Sequence, residues 1–265
     1  MKVIKVINKR PGGNLFHYAH FICDCLFPEV INDIHENDIV IRNRSLDQSI
    51  GNFSSIYEEA LECLNLELDD YQYERFKSEP LIIQRLPEHV SIQNFAKFRN
   101  FIFNKFKIDC RPNPSMPKVI LIERGKTQNL LSDPTLIQIN TNDSNGKDRR
   151  EIYKIDEVRK SLNKKYKNDF KCLRLEDMSF TDQINHFFHA KIIVLAHGAA
   201  MSNLFFCNFE GDNIVLEVDA KTEKDKIIGA GTFPFFDDIC DILKLTKHVV
   251  KNDGVDIFNH IKKLK

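Results

Sequence analysis

Lys191 to Val218 reads KIIVLAHGAAMSNLFFCNFEGDNIVLEV, and this stretch decides the fold. Ile192 to Leu195 is a short, uninterrupted apolar run rich in β-branched residues, the pattern of a strand buried on both faces of a parallel sheet. His197-Gly198-Ala199-Ala200 follows at once, and Met201-Ser202-Asn203-Leu204-Phe205-Phe206 then sets apolar residues at helical spacing. A second apolar strand runs from Ile214 to Val218 and carries Glu217 near its end. The order is strand, small-residue turn, short helix, strand. Gly198 and the two alanines let a ligand approach the backbone, and the helix start behind them aims unpaired N–H groups and a positive dipole end at it. An anion, phosphate foremost, suits such a turn. Small-residue turns after parallel strands are also ordinary packing chemistry, so the rest of the chain has to decide.

The chain has 265 residues, enough for one large domain or two small ones with a substantial core. Its 38 basic and 38 acidic residues cancel, which leaves no global charge to draw it to nucleic acid or a membrane surface. No apolar run approaches the roughly 18–20 residues of a membrane span, and the start, MKVIKVINKRPGG, is too short and polar for a signal peptide. The seven cysteines are odd in number, without a Cys-x-x-Cys pair or zinc-ligand spacing. They read as reduced, mostly buried thiols in a cytoplasmic compartment, where the sequons at Asn43, Asn52 and Asn142 go unused.

Val3 to Ile7 reads as a first strand, ended by Pro11-Gly12-Gly13. From Asn14 to Pro28 the chain is NLFHYAHFICDCLFP. With Asn14 as cap, His17, His20 and Asp24 are three and four apart and share one helical face, while Phe16, Ala19, Cys23 and Phe27 form an apolar one. Two imidazoles and a carboxylate on one stripe suit a general base with orienting neighbours. A solvated polar face, or a His–Asp pair that ties down the turn, fits the spacing as well. A metal site would need a third ligand that the segment does not offer. Further on, Asp38 to Arg42 reads as a strand, residues 53–68 as a helix through Ile56, Ala60, Leu61 and Leu64, and Leu81 to Ile83 as a strand. Asn94 to Phe106 interleaves phenylalanines with basic residues and reads as a helix with buried rings and snorkelling lysines.

Arg111 to Pro117 holds three prolines and marks a domain boundary, giving domains of residues 1–112 and 113–247 and a C-terminal segment of 248–265. Lys118 to Thr127 then supplies a buried strand with Arg124 at its carboxyl end, where open α/β sheets place their ligands. Residues 138–148 read as a polar loop, Asp148 to Ile152 as the lead into a charged helix reaching about Lys167, and Phe170 to Leu175 as a strand. Ser179 or Thr181 caps the helix that runs into the opening stretch. Beyond Glu217 come a charge run, Lys221 to Lys226, and a loop, Gly229 to Pro234. Gly229-x-Gly231 does not follow a strand and is no dinucleotide fingerprint. Asp237 to Leu245 and Gly254 to Lys265 read as helices, with Thr246 to Val250 a strand between them.

Several of these segments stand in the order of a known family. His20, Asp24 and Pro28 keep an H-x-x-x-D-x-x-x-P spacing, and VILIER ends a strand on Arg124. Arg150 to Val158 is similar to R-x-I-x-N-x-x-E-V, with Lys154 in place of the usual Asn. Met178 to Gln183 reads M-S-F-x-x-Q, and His197 to Asn203 reads H-G-A-x-x-x-N before the strand carrying Glu217. On these motifs the chain resembles glycosyltransferase family 61, which includes plant xylosyl- and arabinosyltransferases and animal O-linked N-acetylglucosaminyltransferases. It is similar to the short soluble members met in viruses and microbes.

The resemblance implies a GT-B-like α/β fold, two Rossmann-type domains facing across a cleft, with the last segment returning to the first domain. It implies a UDP-sugar donor, a glycan or glycoprotein acceptor, no cofactor and no metal. The departing diphosphate would be neutralised by Arg124, Arg150 and the N–H groups of the Gly198-Ala199-Ala200 turn, with His197, Ser202, Asn203 and Glu217 completing the donor site. The uracil would lie near Leu175, Asp177 and Met178. Asp24 would take the acceptor's proton, oriented or replaced by His20, with His17 on the acceptor side. Xylose is the expected sugar and N-acetylglucosamine the alternative. Two other readings stay open: a degenerate member that binds nucleotide or glycan without chemistry, and an unrelated phosphate-binding Rossmann enzyme that turns over without a sugar acceptor.

Overall fold

The computed structural model describes residues 2–8, 15, 17–34, 38–43, 50–75, 80–83, 89–125, 150–208, 212–220 and 234–264. The expected turn at residues 11–13, the Asn14 cap, Phe16 and the loops at 138–148, 221–226 and 229–233 lie outside these residues. The chain divides into two compact units, the described residues up to Lys107 forming the first and those from Ile108 onward the second. The proline-rich stretch therefore opens the second unit, and the division falls a few residues before the expected boundary at 112.

The first unit is built on four parallel strands, β1 (Val3–Asn8), β2 (Ile39–Asn43), β3 (Leu64–Leu68) and β4 (Pro80–Ile83), in the order β3-β2-β1-β4. This is the order of a Rossmann half, with its reversal between β1 and β4. Residues 53–68 are not one helix. The helix is Ser54–Leu61, Glu62 turns left-handed at φ 51°, and Leu64, Leu66 and Leu68 then alternate along edge strand β3. A short helix at Asp70–Arg75 also went unforeseen, and its Tyr73 hydroxyl donates to the Val6 carbonyl at 2.7 Å. Ser91 caps the phenylalanine-rich helix Ile92–Lys105, whose Phe95, Phe98, Ile102 and Phe103 are buried.

The chain after β1 is helical over Tyr18–His20, widens into a π-helical segment over Phe21–Leu26, and returns to α-helix over Phe27–Ile31. Pro28 has no N–H to offer the Asp24 carbonyl. The Phe27 N–H bonds the Ile22 carbonyl, five residues back, so the widening sits at Asp24. A buried polar cluster anchors this helix: Glu29 accepts from Arg42 and from the Tyr57 hydroxyl, and Arg42 also donates to Asn65 at 3.0 Å. Glu29, Arg42 and Tyr57 are all inaccessible to solvent, and burial together with Glu29 pushes the Tyr57 phenol well above its ordinary range.

The second unit carries five parallel strands, β5 (Val119–Ile122), β6 (Phe170–Leu173), β7 (Ile192–Ala196), β8 (Ile214–Asp219) and β9 (Thr246–Lys251), in the order β6-β5-β7-β8-β9. This is the second common doubly wound order, with its switch point between β5 and β7. β5 and β7 are buried along their whole length, as continuous apolar runs require. Ser179, not Thr181, caps the helix Phe180–His189, its hydroxyl accepting from Asp182 N at 3.0 Å. The charged helix is Ile155–Tyr166, led into by the residues before it; Lys154 turns left-handed at φ 52° at its start, and Arg150 lies outside it. The segment after the Gly198 turn is a 3₁₀ helix, Ala199–Phe206, opened by Met201 N–H on the Gly198 carbonyl at 2.9 Å. Met201 to Phe206 are buried all round, so packing on every side sets its path.

The C-terminal segment clusters with the second unit. In the helix Gly254–Lys263 and just beyond it, Ile257, Ile261 and Leu264 complete the core made by Val119, Leu121, Val158, Leu162, Val194 and Leu216. Lys165 fastens its end by donating to the Ile261 carbonyl at 2.8 Å. Among the described residues no helix is long and apolar enough to cross a membrane.

Candidate functional site

The carboxyl ends of β5 and β7 flank the switch point of the second sheet, where α/β folds take their ligands. Arg124 stands two residues beyond β5, and His197-Gly198 continue directly from β7. Gly198 holds φ 147° and ψ −156°, a region essentially closed to other residues. A Cβ at this position would lie 3.1 Å from Arg150 Nη1 and 3.8 Å from Arg124 Nη1. The two arginines, 26 positions apart in sequence, thus converge on one glycine. Arg150 also donates to the His197 carbonyl at 3.4 Å. Two guanidinium groups beside a bare backbone turn form a site for an anion with several oxygens.

Behind the turn runs a chain of charged groups. His197 Nδ1 lies 2.5 Å from Glu217 Oε1, and Lys247 Nζ donates to Glu217 Oε2 at 3.0 Å and also pairs with Asp237. His197 and Glu217 are both buried. Burial alone would raise the Glu217 carboxyl, but hydrogen bonding and charge from His197, then from Lys247, hold it below the ordinary carboxylate range. The anionic carboxylate fixes the imidazole with Nδ1 as donor, and the His197 N–H bonds the Val218 carbonyl at 3.0 Å. The turn is pinned through both main chain and side chain.

Ser202 and Asn203 are wholly buried under the turn. Asn203 Nδ2 donates to Gln183 Oε1 at 3.4 Å, and Gln183 Nε2 donates to the Leu175 and Met178 carbonyls at 2.9 and 3.4 Å. Gln183 therefore braces the loop carrying Leu175, Asp177 and Met178 against the 3₁₀ helix. Leu175 and Met178 are half-buried and Asp177 is exposed, while Ala199 and Ala200 are half-buried at the head of the helix. Gln183 ended a recognised motif without a role assigned to it. Lys247 and Asp237 left no sequence signal, since their relation to Glu217 depends on strand pairing.

In the first unit, His20 Nδ1 lies 2.6 Å from Asp24 Oδ2. Asp24 is only 2% exposed, whereas His20 is half-buried. His17 precedes the helix in extended conformation, and its ring meets that of His20 edge-on at 6.5 Å. The three residues remain neighbours despite the π-helical widening. A buried carboxylate joined to a more exposed imidazole can accept a proton and share it with a partner.

No curated protein matches the chain. A family model described as Glycosyltransferase 61 matches residues 18–214, a span that holds the His20–Asp24 pair, both arginines, the Gln183 brace and the whole Gly198 turn. On a match over most of its length, in which those motifs fall together, the chain belongs to glycosyltransferase family 61.

Proposed function

We infer from family membership a glycosyltransferase with a sugar donor and a glycan acceptor. We propose that this one is an inverting, metal-independent enzyme that moves xylose from UDP-xylose to a glycan hydroxyl, with UDP-N-acetylglucosamine as the alternative donor. The observation that carries the donor site is the convergence of Arg124 and Arg150 on Gly198. As the sugar bond breaks, negative charge grows on the diphosphate, and two fixed guanidinium groups with the turn's N–H groups stabilise it without reorganisation. Asp24 is the base in this reading: its carboxylate takes the acceptor's proton, and the bond to His20 holds its orientation. The GT-B-like organisation, with the first unit serving the acceptor and the second the donor, is part of the proposal, as is a cytoplasmic setting in which all seven cysteines stay unbridged.

A thermal-shift panel of UDP, UDP-xylose, UDP-N-acetylglucosamine, UDP-glucose, GDP and CMP, with and without EDTA, tests the donor reading. A ligand at 100 times its dissociation constant stabilises a fold by ~2.7 kcal/mol. Stabilisation by uridine diphosphates, strongest for UDP-xylose and indifferent to EDTA, is expected; a flat panel would sink the donor site. Asp24→Asn is expected to abolish transfer with UDP affinity nearly intact. Near-normal turnover in that variant would remove Asp24 as base.

A further inference from the structure

We infer that Glu176 reads the ribose of the donor nucleotide, its carboxylate accepting from the two adjacent ring hydroxyls; this rests on the donor site proposed above. β5 and β6 are paired with Ile122 opposite Leu173. Gly125 and Glu176 each follow three residues later, so they leave the sheet edge at matching depth. A Cβ on Gly125 would fall on Glu176 Oε1 and 2.8 Å from its Cδ. Gly125 is not among the positive-φ glycines, so its backbone conformation does not demand glycine. What the missing side chain provides is space, and the Glu176 carboxylate fills it.

The position along the sheet edge identifies the guest. The Gly198 turn stands at the end of β7, Arg124 and Gly125 at the end of β5, and Glu176 at the end of β6, the next strand over. Two strand spacings, ~10 Å, separate the outer pair. A nucleoside diphosphate with its phosphates at Gly198 and Arg124 therefore carries its nucleoside toward β6. There a carboxylate offers two acceptor oxygens to a cis-diol, the chemistry an acidic residue after the second strand performs in dinucleotide-binding folds. Glu176 is exposed and open to such a partner, whereas Arg174, two residues earlier, is held by Glu123 at 3.1 Å.

The test is calorimetric titration of UDP and 2′-deoxy-UDP into the full chain and into Glu176→Ala, Glu176→Gln and Gly125→Ala. The native chain should prefer UDP over the deoxy analogue by about ten- to a hundred-fold, as loss of a hydrogen bond to a charged group implies. Glu176→Ala should abolish the preference between the two, lowering UDP affinity below that of the native chain for the analogue and weakening the analogue itself by less, through its remaining 3′-hydroxyl; Gly125→Ala should do the same by displacing the carboxylate. A ribose preference that survives Glu176→Ala overturns the assignment while the donor site stands. No binding of UDP by the native chain overturns both.

Discussion

Replacing Glu217 by glutamine keeps the side chain's shape and removes its charge. In the native chain Glu217 accepts from His197 Nδ1 at 2.5 Å and from Lys247 Nζ at 3.0 Å, so both oxygens meet donors. An amide has one acceptor and one donor end, so one of those two donors must face an N–H₂ group. Hydrogen bonds to charged groups are worth ~1.5–3 kcal/mol, and a buried group left unsatisfied costs ~1–3 kcal/mol. Lys247 keeps Asp237 and is partly exposed, which holds the expected loss near ~2–3 kcal/mol at pH 7. The pH dependence follows from the direction of the shift. Glu217 titrates below its ordinary range, so its charge contributes full stability above the unfolded carboxylate value of ~4.3, and that contribution fades as pH falls through the depressed native value. Urea unfolding of the native and variant chains at pH 8, 7, 5.5 and 4 should show a constant gap down to 5.5 and a narrowing below it. A gap under ~0.5 kcal/mol at pH 7, the range of an ordinary surface change, or one that stays constant into acid, would refute the reasoning.

Gly198→Ala places a side chain at φ 147° and a Cβ 3.1 Å from Arg150 Nη1. It should lower stability by ~1–3 kcal/mol and weaken UDP binding, and a variant unchanged in both urea unfolding and titration would show that the turn does not need glycine. Lys154 sits left-handed at φ 52° and ψ 44°, where asparagine is far better tolerated than lysine. Lys154→Asn should therefore raise stability by ~0.5–1 kcal/mol, more than the exposed pair with Glu157 is worth; a lower melting temperature would count against this.

The central strands of the second unit were legible because strands buried on both faces need apolar runs, and VILI and IIVLA supply them unbroken while IVLEV is interrupted only by Glu217. Strand β3 was hidden for a related reason. Leu64 and Leu66 are exposed on an edge strand, and Leu61 and Leu64 are three apart, so the helical period runs on into the strand. Only the left-handed Glu62 breaks it, and a glutamate carries no turn signal. The last helix showed its apolar face in Ile257 and Ile261, but which sheet that face covers depends on a three-dimensional gap between β9 and the helix Ile155–Tyr166. At the site, Arg124, Arg150 and Gly198 were each legible as motif positions. Their meeting at one point is a property of strand order. Gln183, Lys247, Asp237 and the Gly125–Glu176 contact are properties of register and packing, which no local pattern encodes.

Each unit holds a buried carboxylate next to its candidate site residues. Glu29 ties the helix bearing Asp24 to Arg42 and Tyr57, and Glu217 ties His197 to Lys247. Burying such a charge costs several kcal/mol before its partners offset it, and an apolar set of equal volume is often as stable or better. Stability alone is thus a poor reason for either group to be there. What a carboxylate with two fixed donors adds is one geometry: Glu217 holds the imidazole by its Nδ1 and gives the turn a single path from β7 into the 3₁₀ helix. The Glu217→Gln chain separates the two roles. If the carboxylate serves only the fold, UDP affinity at 25 °C should hold while the chain remains folded. If it sets the turn, affinity should fall in the fully folded variant, because the N–H groups and arginines that would meet the diphosphate no longer converge on one point.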